Sequence, residues 1–163
     1  MLLEKNKEKI FFVHIPRTGG RYATNMFLKN GFKTFELYGY SLYKGIEDRH
    51  LHHEYLKEFD CYNNTQKFAI VRDPLSRFIG AATTTTKDVL NYIQFQQNRY
   101  SFFNNWFRPQ YEFVSKDCKI WKLENGLKDN FLSFIKKEYN INLKFYDIPW
   151  KYEYDGLKKI RIN

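Results

Sequence analysis

Cysteine, proline and methionine are scarce, with two, four and two residues in a chain of 163. Cys61 and Cys118 stand far apart, with neither CxxC nor Cys/His spacing, so nothing argues for a disulfide framework or a metal site. No run approaches the ~18 consecutive apolar residues of a membrane span. The N-terminus also lacks a signal-peptide pattern. These absences point to a cytoplasmic or otherwise soluble intracellular protein with no membrane segment. No internal repeat and no Pro/Gly/Ser-rich linker divides the chain, so residues 1–163 read as one domain.

Aromatic residues make up 20% of the chain and hydrophobic residues 43%, enough to build a real core. Lysine and arginine outnumber aspartate and glutamate by 27 to 18, a net charge of +9. That excess favours an anionic partner: nucleic acid, a membrane surface, a sulfated or phosphorylated polymer, or a nucleotide. Many of the lysines alternate with acids, as in Glu4-Lys5-Asn6-Lys7-Glu8-Lys9, and read as solvated surface.

Hydrophobic patterning gives strands alternating with helices. Lys9 to His14 reads as a buried strand and Tyr22 to Lys29 as a helix stopped at Gly31. Phe32 to Tyr38 reads as a further strand. His50 to Phe59 has helical periodicity, with Leu51, Tyr55, Leu56 and Phe59 on one face. Lys67 to Val71 is a second clear strand. After it, Asp73 as N-cap and Pro74 as first helical residue start a helix through Leu75, Phe78, Ile79 and Ala82, weakened by Thr83–Thr86. Asp88 to Phe107 has a poorly bounded helical pattern. Lys119 to Leu123 reads as a strand, and Asn125 as the cap of a helix carrying Leu127, Phe131, Leu132, Phe134 and Ile135. Such alternation predicts an α/β domain, a P-loop-like three-layer arrangement with a mainly parallel central sheet flanked by helices.

Two turns fall at the carboxyl ends of strands, where α/β sheets bind ligands. In "FFVHIPRTGG" the strand breaks into Arg17-Thr18-Gly19-Gly20 before a helix. Glycines allow close backbone approach, the helix start offers N–H donors, and Arg17 and Thr18 add a cation and a hydroxyl. The Walker A pattern is missing, since no lysine follows the glycine pair, and this disfavours a nucleotide kinase or P-loop ATPase. In "FAIVRDPLSRFIGA", Arg72 ends a strand just before a capped helix, where a guanidinium can grip a phosphate with two hydrogen bonds. Two such turns suggest a ligand with two separate anionic ends.

Together these turns resemble the paired signature of sulfotransferases that use 3′-phosphoadenosine 5′-phosphosulfate (PAPS). They are most similar to the carbohydrate branch, heparan sulfate sulfotransferases included, whose first loop typically reads HIPKTGGTS. "KIWKLENGLKDNFLSFIKKEYNI" also resembles that branch's later strand–Glu–helix segment, so the likeness runs from about Ile10 to Pro149 with gaps. The resemblance implies that Arg17, Thr18, Gly19 and Gly20 hold the sulfuryl end, with Arg21 and Tyr22 beside it, and that Arg72 holds the 3′-phosphate. It implies PAPS as co-substrate, PAP (3′-phosphoadenosine 5′-phosphate) as product, no metal, and a hydroxyl-bearing, carbohydrate acceptor. No nucleic acid is expected as partner, and the oligomeric state stays open. Relatives usually continue past the region of "DIPWKYEYDGLKKIRIN". Three departures stand out: Arg17 replaces the usual lysine, Arg21-Tyr22 the usual Thr-Ser, and Gly80 a serine, for which Ser76 or Thr83 are the nearest substitutes.

Transfer to an alcohol needs a base, and a histidine suits that role. Three of the four histidines cluster in "DRHLHHEYLKEF". By its distance from the second clear strand, His50 is the first candidate, His52 the second and His53 the third. His14, at the strand–turn junction, reads as structural. Glu124 serves either the loops or the acceptor. Trp106, Phe107, Tyr111 and Trp121 are core residues or stacking platforms. The competing reading is a non-catalytic module that keeps the nucleotide fold and holds a polyanion.

Overall fold

The computed structural model describes residues 1–35, 42–43, 46–85 and 105–148. Its central sheet has five strands: β1 (Leu2–Lys5), β2 (Glu8–Val13), β3 (Lys33–Phe35), β6 (Lys67–Val71) and β7 (Lys119–Lys122). Their spatial order is β3-β1-β2-β6-β7. A separate two-residue pair, β4 (Leu42–Tyr43) with β5 (Ile46–Glu47), lies between β3 and the histidine segment in sequence. The helices are α1 (Gly20–Lys29), α2 (His53–Leu56), α3 (Asp60–Asn63), α4 (Pro74–Thr85) and α5 (Asp129–Tyr139).

The sheet is mixed rather than mainly parallel. β2, β6 and β7 pair in parallel, while β1 runs antiparallel to both β2 and β3. β1 adds a strand where the sequence shows only alternating charge, while Asn6–Lys9 are exposed and Glu4 and Lys5 half-buried, in keeping with the reading of that run as surface. Leu2 and Leu3 are buried, and the chain reverses at Asn6, whose φ of 54° is tolerated by a short polar side chain, so the charged residues face one another across a hairpin.

Alternate residues of the strands feed two cores. Leu3, Ile10, Phe12, Phe68 and Ile70 pack with Ala23 and Phe27 of α1 and Phe131 and Ile135 of α5. Leu2, Phe11, Val13 and Ala69 pack with Leu51, Leu56, Tyr62 and Phe113. The sheet is therefore covered on both faces, and each large side chain fully withdrawn from water contributes about 1.5–3 kcal/mol. The period-2 alternation of the strands sets which residue enters which core.

Several boundaries differ from the sequence expectation. The expected His50–Phe59 helix is broken into a 3-10 turn at Asp48–His50 and the short α2 and α3. Leu51 and His52 are extended between them, yet Leu51, Tyr55, Leu56 and Phe59 still enter one core. Asn125 does not cap a helix: it ends a 3-10 turn (Leu123–Asn125), the chain bends through Gly126, and α5 starts only at Asp129. On α4, Leu75, Phe78 and Ile79 are exposed, while Arg77 and Ala81 are buried, the reverse of a simple apolar-face reading. The third strand is Lys33–Phe35; residues 36–38, Thr86, most of Asp88–Phe107 and residues from 149 onward lie outside the described residues. Among the described residues, no helix is long and apolar enough to cross a membrane.

Candidate functional site

The carboxyl ends of β2, β6 and β7 stand side by side because these three strands are parallel neighbours. Each runs into a loop that touches the next. Beyond β2, the Thr18 hydroxyl donates to the Ile15 carbonyl at 2.9 Å and is fully buried, so it shapes the first loop from within. Arg17 and Gly19 both take positive φ, 66° and 86°. Gly19 also lies against β7's continuation: a Cβ there would stand 2.9 Å from Leu123 Cδ1. Gly20 opens α1 against a buried imidazole, with a hypothetical Cβ only 2.0 Å from His14 Cδ2 and Nε2. Both glycines are thus required by space, not merely by turn geometry.

No side chain caps α1, and its first turn holds no acidic residue. The free N–H groups of Gly20, Arg21 and Tyr22 therefore present the positive end of the helix. Arg21, in that first turn, has the wrong sign to offset it. Burial first, then the charges of Arg21 and Arg72, push the Arg17 pKa below its ordinary value. Among the described residues, none of Arg17, Arg21 and Arg72 has a carboxylate partner. A knot of like charge without counter-charge is the electrostatic requirement for holding an anion.

Beyond β6, Asp73 caps α4 as the sequence implies: its Oδ1 accepts from the Ser76 N–H at 2.8 Å. Hydrogen bonds from the Ser76 N–H and hydroxyl hold the Asp73 carboxyl below the usual carboxylate range. Ser76 is thereby engaged with the cap. The Arg72 backbone is clamped by Gln110, which accepts from its N–H at 2.9 Å and donates to its carbonyl at 2.7 Å. Arg72 Nη1 reaches the Arg17 carbonyl at 3.4 Å. Gly80, one turn further along α4, leaves both guanidinium groups room. Its missing Cβ would lie 3.2 Å from Arg72 Nη1 and 3.8 Å from Arg17 Nε and Nη2. Beyond β7, Glu124 accepts from the Asp73 N–H at 2.7 Å and so supports the second loop.

Under the first loop lie the histidines. His50 Nδ1 is 2.9 Å from the His14 carbonyl; a carbonyl only accepts, so the tautomer that makes this bond carries its hydrogen on Nδ1 and leaves Nε2 as the basic nitrogen. Glu47 Oε2 is 3.3 Å from that Nε2. Burial, reinforced by Arg49, Arg21 and Arg77, pushes the His50 pKa down to about 3, so the ring is neutral at pH 7. His14 stacks on Phe12 and meets His50 edge-on at 4.6 Å between ring centres, and burial holds it neutral too. His52 is also buried, precedes α2, and rests on Tyr55. Burial, then Arg108, lowers its pKa. His53 bonds to Tyr62 through Nδ1 at 2.9 Å and is occupied there.

Three residues that the sequence does not single out tie these loops and the histidines together. Arg77, 6% exposed, donates from Nε to the Pro16 carbonyl at 2.9 Å, from Nη1 to the Arg108 carbonyl at 2.9 Å and from Nη2 to the Asn105 carbonyl at 3.3 Å. Asn105 in turn donates to the His50 carbonyl at 2.8 Å. Glu47 is the third. The available signal for Arg77 was a charge four residues from Ala81 on a face of small residues; for Asn105 and Glu47 there was none. Of the aromatics, Trp106 lies under the Arg17 guanidinium at 5.8 Å and Phe107 packs edge-on against Phe78. Trp121 belongs to the core and donates to the Gly126 carbonyl, while Tyr111 is exposed.

No curated protein and no solved structure matches this chain. A family model described as "Sulfotransferase family" matches residues 2–129, which spans every strand of the sheet and both loops at its rim. The chain belongs to the sulfotransferase family.

Proposed function

We propose that this protein transfers a sulfuryl group from PAPS to a hydroxyl of a carbohydrate, on a P-loop-like three-layer fold, as the heparan sulfate branch does. The observation that supports the donor is the convergence of Arg17, Arg21 and Arg72, free of carboxylates among the described residues, at the rim shared by β2 and β6. A compound with a 3′-phosphate and a 5′-phosphosulfate on one ribose carries two anionic ends for such a cluster of cations to hold. Arg17, Arg21 and the N–H groups of Gly20, Arg21 and Tyr22 hold the 5′ end, Arg72 the 3′ end, and Thr18 and Gly19 fix the loop's shape. When bound, the donor supplies an activated sulfuryl group.

On this reading His50 is the base. Its Nδ1–H, held by the His14 carbonyl, keeps the Nε2 lone pair available for the acceptor's proton. Glu47 beside Nε2 then stabilises the imidazolium. Burial first, then Arg49, Arg21 and Arg77, depress its basicity, and an anionic donor held by Arg21 offsets that one charge and restores a part of it. His52, less well held, is the second candidate. Guanidinium and N–H donors around the transferring oxygens stabilise the charge that develops there.

The test is thermal stabilisation by PAP, with ATP and heparin as comparisons, followed by turnover of PAPS with a sugar acceptor. PAP alone should raise the melting temperature, and His50→Ala should leave that shift intact while removing turnover. A shift with heparin alone, reversed by salt, would identify a polyanion-binding module instead.

A further inference from the structure

Position 80 is where the two cofactor-loop arginines come within reach of one another. A single point, the site a Cβ would take on Gly80, is within 4 Å of Arg72 Nη1, Arg17 Nε and Arg17 Nη2. Arg17 reaches that point because its backbone is left-handed at φ 66°, and the Trp106 ring lies beneath its guanidinium. Its Nε is buried without a hydrogen-bond acceptor. Arg72 Nη1 has the Arg17 carbonyl as its acceptor, and at 3.4 Å that bond is long. Among the described residues no carboxylate pairs with either side chain. Two guanidinium groups placed together with donors to spare repel one another until an anion lies between them.

We propose that Arg17 and Arg72 grip one phosphate jointly, in the gap that Gly80 leaves open, so that Arg17 serves the 3′-phosphate as well as the sulfuryl end. The inference rests on the PAPS reading of the site. It explains the departures at 17 and 80 as one change. A lysine has no nitrogen at the Nε position, whereas an arginine there brings a planar fork whose Nε and Nη2 both stand 3.8 Å from the Cβ site of Gly80. A Cβ at 80 would stand tight on Arg72 Nη1, at 3.2 Å, and in ordinary contact with the Arg17 fork at 3.8 Å, so a side chain there occupies the gap in which the phosphate would lie. Gly80 is then a determinant of donor affinity through what it leaves out.

The experiment compares, by calorimetry, the affinity for adenosine 3′,5′-bisphosphate with that for adenosine 5′-monophosphate; the ratio isolates the 3′-phosphate. In the unaltered protein the ratio should be large. Gly80→Ala and Arg17→Lys should each cut it by about tenfold, the effect of one charge-assisted hydrogen bond. The double variant should lose little more than either single one, because both changes remove the same grip. Gly80→Ala should melt no lower than the parent, since alanine favours the helix and the atoms it meets are tips of flexible side chains. A ratio unchanged or raised by Gly80→Ala overturns the inference, as does an Arg17→Lys variant that loses affinity for both compounds equally. If the unaltered protein does not prefer the bisphosphate at all, the PAPS reading itself fails, and this inference with it.

Discussion

Replacing Gly20 by alanine adds one methyl group against a ring that has nowhere obvious to go. The new Cβ would stand 2.0 Å from both Cδ2 and Nε2 of His14, where carbon contacts ordinarily begin near ~3.5 Å. His14 is stacked on Phe12 at 5.3 Å and faces His50 at 4.6 Å, and it is buried, so relief requires the ring and its neighbours to shift together. Overpacking of this kind costs about 1–3 kcal/mol, against which the helix gains about 0.5–1 kcal/mol from exchanging glycine for alanine. The net loss is about 1–2 kcal/mol, or a fall in melting temperature of about 2–8 °C for a chain of this size. Urea and thermal unfolding of Gly20→Ala measure it directly. The His14→Ala/Gly20→Ala double variant should be more stable than Gly20→Ala alone, because it removes the obstructing ring. A Gly20→Ala protein that melts at or above the parent would refute the reasoning that His14 and α1 are packed as closely as the geometry says.

Arg77→Met removes donors from the Pro16, Arg108 and Asn105 carbonyls at once, and should cost about 3–5 kcal/mol in urea unfolding. A loss under about 1 kcal/mol would show that these bonds do not tie the first loop down. His50, with a pKa pushed to about 3, and His14, also lowered by burial, stay neutral in the folded chain but bind protons near pH 6.5 when unfolded. Between those values the unfolded state binds more protons, so stability present at pH 7 is lost as the pH falls from 6.5 towards 3. The slope should approach about 1.4 kcal/mol per pH unit for each histidine, and His50→Gln should flatten it. A stability profile flat from pH 7 to 4 would contradict the buried neutral histidines.

The pieces of fold legible in the sequence were those with strong local signals: the apolar run of β2, the Lys67–Val71 strand, and the Asp73-Pro74 start of α4. β1 was illegible because it presents only two buried residues before a run of alternating charge. The break in the histidine segment was hidden for a different reason. Extended backbone at Leu51 and His52 preserves the order of apolar residues facing the core while abandoning the helix. At the site, Arg17, the glycines and Arg72 were visible as motif residues, but their meeting at Gly80 was not, since 63 positions separate Arg17 from Gly80 and long-range contacts, the parallel pairing of β2 with β6 and the Arg77 bond to the Pro16 carbonyl among them, bring the two together. Arg77 was overlooked because a charge on a helix reads as solvent-facing, and here three carbonyls make burial tolerable.

The central claim is that one donor with two anionic ends spans the loops after β2 and β6. Calorimetric titration with PAP of the unaltered protein and of Arg72→Ala tests it most directly. The account predicts one molecule bound per chain, weakened about tenfold or more by the substitution, with affinity for adenosine 5′-monophosphate nearly unchanged. Equal binding of PAP by both proteins, or no binding by either, would contradict it.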